Sequence, residues 1–263
     1  SGPGSGQRAT EVVKRALTEI VKEFGVMKIL DCGCGSMVWM VDILLDIEST
    51  RLLNNANMME KNVLPSHALR YHGVDIVPSM ITAARQVVAD VAHEGLWTFS
   101  KNDFSHYLFL DNLSNQLNSL QSSAGKVKTD IADVPYFDVI VVRDVFFHLS
   151  FQRIQCALNN LSLMAMTRQA AQKGANHNGT SSMYLLATSN NGTYHYHPKM
   201  FTDILKLGGY RSTNLENAPL HLPTPLREYF ELGDYNSKGR KLGLWPLPLP
   251  LFRYGDGSVV MCD

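Results

Sequence analysis

The stretch Met27-Lys28-Ile29-Leu30-Asp31-Cys32-Gly33-Cys34-Gly35 constrains this chain more than any other. A short apolar run ends in an acid and two glycines, and an apolar helical pattern follows from Met37 to Leu45. Strand, tight turn and helix form the opening unit of a parallel α/β sheet. Gly33 and Gly35 lack a Cβ, so the chain can turn sharply there and a ligand can lie against the backbone. The N–H groups at the start of the following helix are expected to face that ligand.

Two ligand classes use such a turn. A dinucleotide needs G-x-G-x-x-G, whose third glycine lets helix pack on strand. Val38 stands at that position, which weakens this reading and leaves NAD(H) as the rival cofactor. The acid before the first glycine, Asp31, points elsewhere. D-x-G-x-G after a strand resembles motif I of class I S-adenosylmethionine (SAM) methyltransferases, where the glycines bracket the amino-acid end of the cofactor. A plain strand-to-helix turn is the bland alternative.

The rest of the chain is read in order. Glu11 to Phe24 repeats apolar residues at helical spacing, with Thr10 as N-cap and Gly25 past its end. A second strand, Tyr71 to Ile76, carries Asp75 near its end. A carboxylate there suits the hydroxyls of a ribose, or else caps the helix that opens at Pro78 and runs to about His93. Trp97 to Ser100 is a third strand. Asn102-Asp103-Phe104 follows, where an adenine edge would be read or where Asp103 is a simple turn residue. Tyr136 to Val142 is a continuous apolar run, hence a strand buried on both faces. Arg143-Asp144 stands at its carboxyl end, where open α/β sheets bind ligands, and a helix capped near Ser150 follows. Met183 to Thr188 is a fifth strand, with Ser189 to Gly192 as the loop at its ligand end. The Pro-rich run 211–225 is too irregular for helix or central strand and is expected as a lid over the ligand edge. Arg227 to Leu232 and Lys241 to Leu247 form a closing hairpin, and Ser258 to Cys262 one more short edge strand.

At 263 residues and 45% hydrophobic, the chain can bury one substantial core. A single domain over 7–263 is expected, after a tag-like remnant at 1–6, with polar insertions near 46–66, 111–134 and 168–182. Lys plus Arg equals Asp plus Glu at 24 each, which is not the basic excess of a protein gripping long nucleic acid. No apolar run approaches the ~20 residues that span a bilayer. Cys32, Cys34, Cys156 and Cys262 read as reduced thiols, which implies a cytoplasmic protein, or an organellar one if a targeting peptide has been removed. Cys32-x-Cys34 has no second pair at zinc-ligand spacing, so no metal is expected.

Further similarity lies in the second half. Val142-Arg143-Asp144-Val145-Phe146-Phe147-His148-Leu149-Ser150, Tyr184-Leu185-Leu186-Ala187-Thr188, Asn214-Leu215-Glu216-x-Ala218-Pro219 and Leu242-Gly243-Leu244-Trp245 resemble a little-characterised, largely bacterial group of class I SAM-dependent methyltransferases. Cys34-Gly35-Ser36-x-x-Trp39-Met40 and Gly73-x-Asp75-Ile76-Val77-Pro78 fit the same group, so the resemblance covers roughly residues 10 to 247. It implies a Rossmann-like, mostly parallel seven-stranded sheet of order 3-2-1-4-5-7-6 with helices on both faces. It implies SAM as cofactor and S-adenosylhomocysteine (SAH) as product. Asp31, Gly33, Cys34 and Gly35 then lie at the methionine end, Asp75 at the ribose with Ile76 a further cofactor contact, and Asn102 or Asp103 at the adenine. Arg143, Asp144 and His148 follow the central strand, so one or more of them is expected to face the methyl group. Arg143 contacts the cofactor or holds an anionic acceptor, and Asp144 or His148 takes a proton. The bland alternative makes Asp144 a helix cap paired with Arg143, and His148 a packing residue. Asn191, Arg211 and Asn214 are the expected substrate contacts. The acceptor is read as a small molecule or a protein side chain, and the protein as a monomer or homodimer. A binding or assembly protein on the same fold, possibly RNA-associated, is the alternative.

Overall fold

The computed structural model describes residues 7–55, 68–91, 96–123, 136–174, 182–191, 211–231 and 239–263. Among the described residues five α-helices, α1 (Gln7–Phe24), α2 (Met40–Asn55), α3 (Pro78–Val88), α4 (Phe109–Ser123) and α5 (Phe151–Gly174), accompany seven strands. The strands are β1 (Lys28–Cys32), β2 (Arg70–Asp75), β3 (Trp97–Lys101), β4 (Val139–Val142), β5 (Met183–Asn190), β6 (Arg227–Phe230) and β7 (Arg240–Leu247). They form one sheet in the order β3-β2-β1-β4-β5-β7-β6. Strands β1 to β5 are parallel, and β7 runs antiparallel between β5 and β6. This is the expected order.

The apolar runs follow from burial on both faces. Ile29, Val139, Val141, Leu186 and Leu244 point into one core with Leu17, Ile20, Met40 and Leu44 from α1 and α2. Their neighbours Leu30, Ile140, Val142, Leu185 and Trp245 point into the other, with Ile154, Leu158 and Leu161 of α5. The strand alternation thus sorts each run between two cores. Trp245 lies flat over Gly243, where a Cβ would stand 2.2 Å from its ring.

Several boundaries differ from expectation. Helix α1 begins at Gln7, so Thr10 lies inside it and not at its cap; Gly25 does end it, at φ 62°. Helix α2 begins at Met40, because Met37 takes a left-handed φ of 65°. It runs through 46–55, the first part of the expected insertion, and 56–66 lies outside the described residues. The insertion expected at 111–134 is helix α4 up to Ser123, anchored by buried Phe109 and Leu113; 124–134 lies outside the described residues. The segment 168–174 belongs to α5, and buried Arg168 pairs with Asp138 at 3.1 Å. Helix α3 ends at Val88, short of His93. Strand β4 starts only at Val139, while β5 extends through Ser189 and Asn190.

The extension comes from pairing with β7, Ser189 opposite Lys241 and Asn190 opposite Arg240, and the Pro-rich run bonds to the same two residues of β5. Asn190 N–H donates to Thr213 O at 2.9 Å, and Leu215 N–H donates to Ser189 Oγ at 3.0 Å. Leu215, Leu220 and Leu222 are buried in the α5-side core. The run is therefore a packed layer, not a lid. The tail makes only an isolated bridge, Arg253 to Val259, in place of an edge strand. Cys156 and Cys262 form a disulfide, while Cys32 and Cys34 are free and buried. The expectation of four reduced thiols fails, and the inference of a reducing compartment loses that support. Among the described residues no helix is long and apolar enough to cross a membrane.

His72 on β2 is 2% exposed, its ring nitrogens 2.7 Å from Thr98 Oγ1 and 2.8 Å from Ser100 Oγ. Burial, with Arg85 nearby, pushes its pKa down from 6.5 to about 4. The unfolded chain therefore binds a proton first as pH falls. The stability is complete above the unfolded value and is lost as pH falls through this window. In urea denaturation the wild type should lose roughly 2 kcal/mol between about pH 7.5 and pH 5 that His72→Gln does not lose. Equal losses in both proteins would show that His72 titrates as it does in water.

Candidate functional site

The site is built where β1, β2, β3 and β4 end. After β1 the chain turns at Gly33, φ 89°, and Gly35, φ 56°. A Cβ on Gly33 would meet Val145 Cγ2 at 2.2 Å, so this position is closed by packing. A Cβ on Gly35 would meet nothing within 4 Å, so that face of the turn is open. Gly73 keeps the adjoining strand bare: a Cβ there would stand 2.9 Å from Cys34 Sγ and 2.8 Å from Phe99.

The N–H groups of the turn itself are taken up by β2. Gly33 and Cys34 donate to Val74 O at 2.8 and 3.1 Å, and Gly35 donates to Asp75 Oδ2 at 3.0 Å. Helix α2, whose first N–H groups are expected to face the ligand, begins at Met40 and not at Met37. A pyrophosphate needs such donors, whereas an ammonium group or a hydroxyl does not. The dinucleotide alternative is weakened further.

Asp75 gathers the strand ends. Its Oδ2 takes the Gly35 N–H, its Oδ1 takes the Val77 N–H at 2.9 Å, and its carbonyl takes the Asn102 N–H at 3.1 Å. A carboxylate offers about four acceptor sites, so capacity remains for further donors. Ile76 beside it is 58% exposed. Asn102 is buried: its Oδ1 accepts from Asp103 N–H at 3.0 Å and its Nδ2 points at Phe109 O. Asp103 is tied to Ser105 through Oδ1 and to Arg153 through Oδ2 at 2.9 Å. Both side chains are thus engaged within the protein, though they stand at the predicted strand end.

Asp31 is 1% exposed and accepts a hydrogen bond from Tyr71 Oη at 2.6 Å. Burial drives its pKa up to about 7, against the pull of the Tyr71 hydroxyl; Asp75 adds to the rise, and Arg143 opposes it. Burial likewise raises the thiols of Cys32 and Cys34, so neither is an activated nucleophile.

Beyond β4 lies a cluster that the sequence reading only half contains. Arg143, 8% exposed, lies 5.2 Å from the Trp39 ring centroid, 3.6 Å from Glu231 and 3.5 Å from Asp144. Arg240 contacts both Asp144 oxygens, at 2.8 and 3.0 Å, and Glu231 at 2.7 Å. Asp144 takes a left-handed φ of 60° and donates its N–H to Thr188 Oγ1 at 3.1 Å. Burial raises the Glu231 carboxyl, and Arg240 and Arg143 oppose that rise. Glu231 follows β6 and Arg240 opens β7; a charge at each strand end is the signal that the sequence carries. His148 is exposed, at the end of a short 3-10 turn, Phe146–His148.

The expected substrate contacts lie on two adjoining segments, the end of β5 and the run 211–215 bonded to it. Arg211 donates to Leu149 O and stacks 3.9 Å from the Phe151 centroid. Asn214 closes a local turn, accepting from Glu216 N–H at 2.9 Å. Asn191 is exposed and bonds through its N–H to Gly239 O. Among the described residues no cluster of His, Cys, Asp or Glu could hold a metal ion.

The fold is that of class I SAM-dependent methyltransferases. The N-methyltransferase NodS from Bradyrhizobium japonicum WM9, solved with SAH, is similar with a TM-score of 0.52 at 13% identity, over 92% of this chain and 89% of that one. The methyltransferase domain of bacterial CtHen1-C gives a TM-score of 0.50 at 14% identity, over 89% of this chain and 96% of that one. No protein-family profile and no curated protein sequence matches this chain.

The raised Asp31 pKa sets a sign. The stability carried by the protonated form is complete below the unfolded value of 3.8 and is lost as pH rises through about 7. Asp31→Asn removes that loss. Its stability gain over wild type should widen by roughly 2–3 kcal/mol from about pH 5 to about pH 8 in urea denaturation. A gap that does not change with pH would show that Asp31 ionises in the fold as it does in water.

Proposed function

We propose that the protein binds SAM at the ends of β1 to β4 and transfers its methyl group to an acceptor. The observation that carries this reading is the glycine turn. Its N–H groups are spent on β2, it is flanked by Asp31 and Asp75, and its outer face at Gly35 is open. Such a turn suits a ligand that brings an amine and hydroxyls. Asp31, Gly33, Cys34 and Gly35 hold the amino-acid end, and Asp75 accepts from the ribose hydroxyls with its remaining lone pairs. Ile76 lies against the base, and the segment Asn102-Asp103 borders it. SAM supplies a methyl group already activated on a sulfonium. The protein's task is alignment of the acceptor and exclusion of water.

Arg143, Asp144 and His148 border the acceptor. Asp144, with both oxygens on Arg240, is a positioning residue in this reading. The exposed His148 is the group that takes a proton where the acceptor loses one. Asn191, Arg211 and Asn214 are outer contacts, with Arg211 acting through the backbone that it holds. The acceptor is a small molecule or a protein side chain. One observation favours the alternative of a SAM-binding protein without turnover: the four charges beyond β4 are paired with one another.

Calorimetry tests the reading. SAM and SAH should bind, and NAD(H) should not. Asp75→Ala should weaken SAH binding at least tenfold, about 1.4 kcal/mol. Gly35→Ala, which is strained by the left-handed φ of 56° at a cost of about 1–2 kcal/mol and also fills the open face, should bind more weakly. Asp144→Asn and His148→Ala should keep SAH affinity and lower the transfer of tritiated methyl to acceptor pools. A folded wild type that binds neither SAM nor SAH would end the proposal, and binding without transfer to any acceptor would favour the non-catalytic alternative.

A further inference from the structure

We propose that the Cys156–Cys262 disulfide is a redox latch on the base-binding edge of the cofactor site; this rests on the SAM reading above. One stripe of α5 holds two things at once. Asn159 clamps the tail, donating from Nδ2 to Phe252 O at 3.0 Å and Val260 O at 2.8 Å, while its Oδ1 accepts from Phe252 N–H at 2.8 Å. Asn160 clamps the loop after β3, donating to Phe104 O at 3.0 Å and His106 O at 2.8 Å. Arg153 joins the two. Its Nη1 binds Asp103 Oδ2 at 2.9 Å and Ser105 Oγ at 3.0 Å, and its Nη2 donates to Asp263 O at 3.3 Å.

The disulfide stands in the middle of this stripe, with Cys156 1% and Cys262 9% exposed. The carbonyl of Cys262 itself accepts the Tyr107 N–H at 2.8 Å. The covalent bond therefore fixes a residue whose backbone holds the loop 102–107, and that loop begins at Asn102, which bonds to Asp75. Val260 and Cys262 are covered with Cys156 in a small apolar cluster, and Phe252 packs both there and against the α5-side core. The tail's attachment is thus local, and it can lift without opening the sheet.

Reduction follows ordinary exchange. A thiolate of an external dithiol attacks Cys262 Sγ, on the more exposed of the two residues, and Cys156 leaves as a thiolate that takes a proton. The second thiol of the dithiol then displaces Cys262. Two thiols are formed in the protein and one disulfide in the dithiol. The cover over both sulfurs makes this slow until the tail lifts. The reduced tail keeps its Asn159 bonds but loses its covalent tie. The Tyr107 N–H and one arm of Arg153 then depend on a segment free to leave.

The experiment compares the oxidised full chain, the same chain reduced with dithiothreitol and held reduced, and Cys262→Ser. Thiol titration and mass spectrometry fix the redox state. Hydrogen exchange of the peptide covering Tyr107, measured without ligand, should speed up in the reduced chain and in the variant, while peptides from β1 and β4 stay protected. SAH affinity should fall five- to tenfold in both, within the usual range of coupled sites. Cys156→Ser is a second route to the same state should Cys262→Ser fail to fold. Unchanged exchange at Tyr107 on reduction overturns the latch. So does faster exchange with unchanged SAH affinity, which would leave the SAM reading standing. If no form binds SAH, the SAM reading fails and the latch on the site fails with it.

Discussion

Asp75 is the residue on which this site depends. Its backbone and side chain accept hydrogen bonds from three segments: Gly35 in the turn after β1, Val77 at the entrance of α3, and Asn102 after β3. A parallel sheet aligns its strands but leaves their exits free. Here the exits are drawn together by one carboxylate and one carbonyl, helped by Val74 O on Gly33 and Cys34. The arrangement of the strand exits follows from these bonds. So does their electrostatic character, because the turn's N–H groups are consumed and the neighbouring acids dominate. The buried Asp31, held by Tyr71, belongs to the same design, with a group kept at a cost to the fold beside the place where a ligand would lie.

The other wall is set by charge. Arg143, Asp144, Glu231 and Arg240 pair across β4, β7 and the end of the hairpin, and Trp39 covers Arg143 from the glycine-turn side. Buried ion pairs of this kind add little net stability, because desolvation offsets the attraction. They do fix geometry, since removing one member leaves another buried without its counter-charge. The left-handed Asp144 is held in place this way, by Arg240 on its carboxylate and Thr188 on its N–H.

The sheet was legible in the sequence because its signals are local. Continuous apolar runs, Gly33 and Gly35, and acids at strand ends each act within a few residues. The features that were missed depend on distant partners. The loss of the turn's donors is decided by Val74 and Asp75, the latter 40 residues away along the chain. Cys156 and Cys262 are separated by 106 positions, and nothing near either one announces the other. Glu231 and Arg240 gain their meaning only when the hairpin brings them to Arg143 and Asp144. Helix α4 was read as a polar insertion because Asn, Gln and Ser dominate its surface, and two buried side chains, Phe109 and Leu113, suffice to dock it. The Pro-rich run was correctly kept out of helix and strand, yet its leucines take it into the core.

The disulfide also has a topological consequence. It closes a covalent ring that runs from α5 through β5, β6 and β7 to the tail. A single cut in the backbone anywhere between Cys156 and Cys262 opens that ring without releasing a piece. The strand that completes the sheet, β7, stays tethered to the helix beneath it, and the two halves of a nicked chain remain one molecule for as long as the sulfurs are joined.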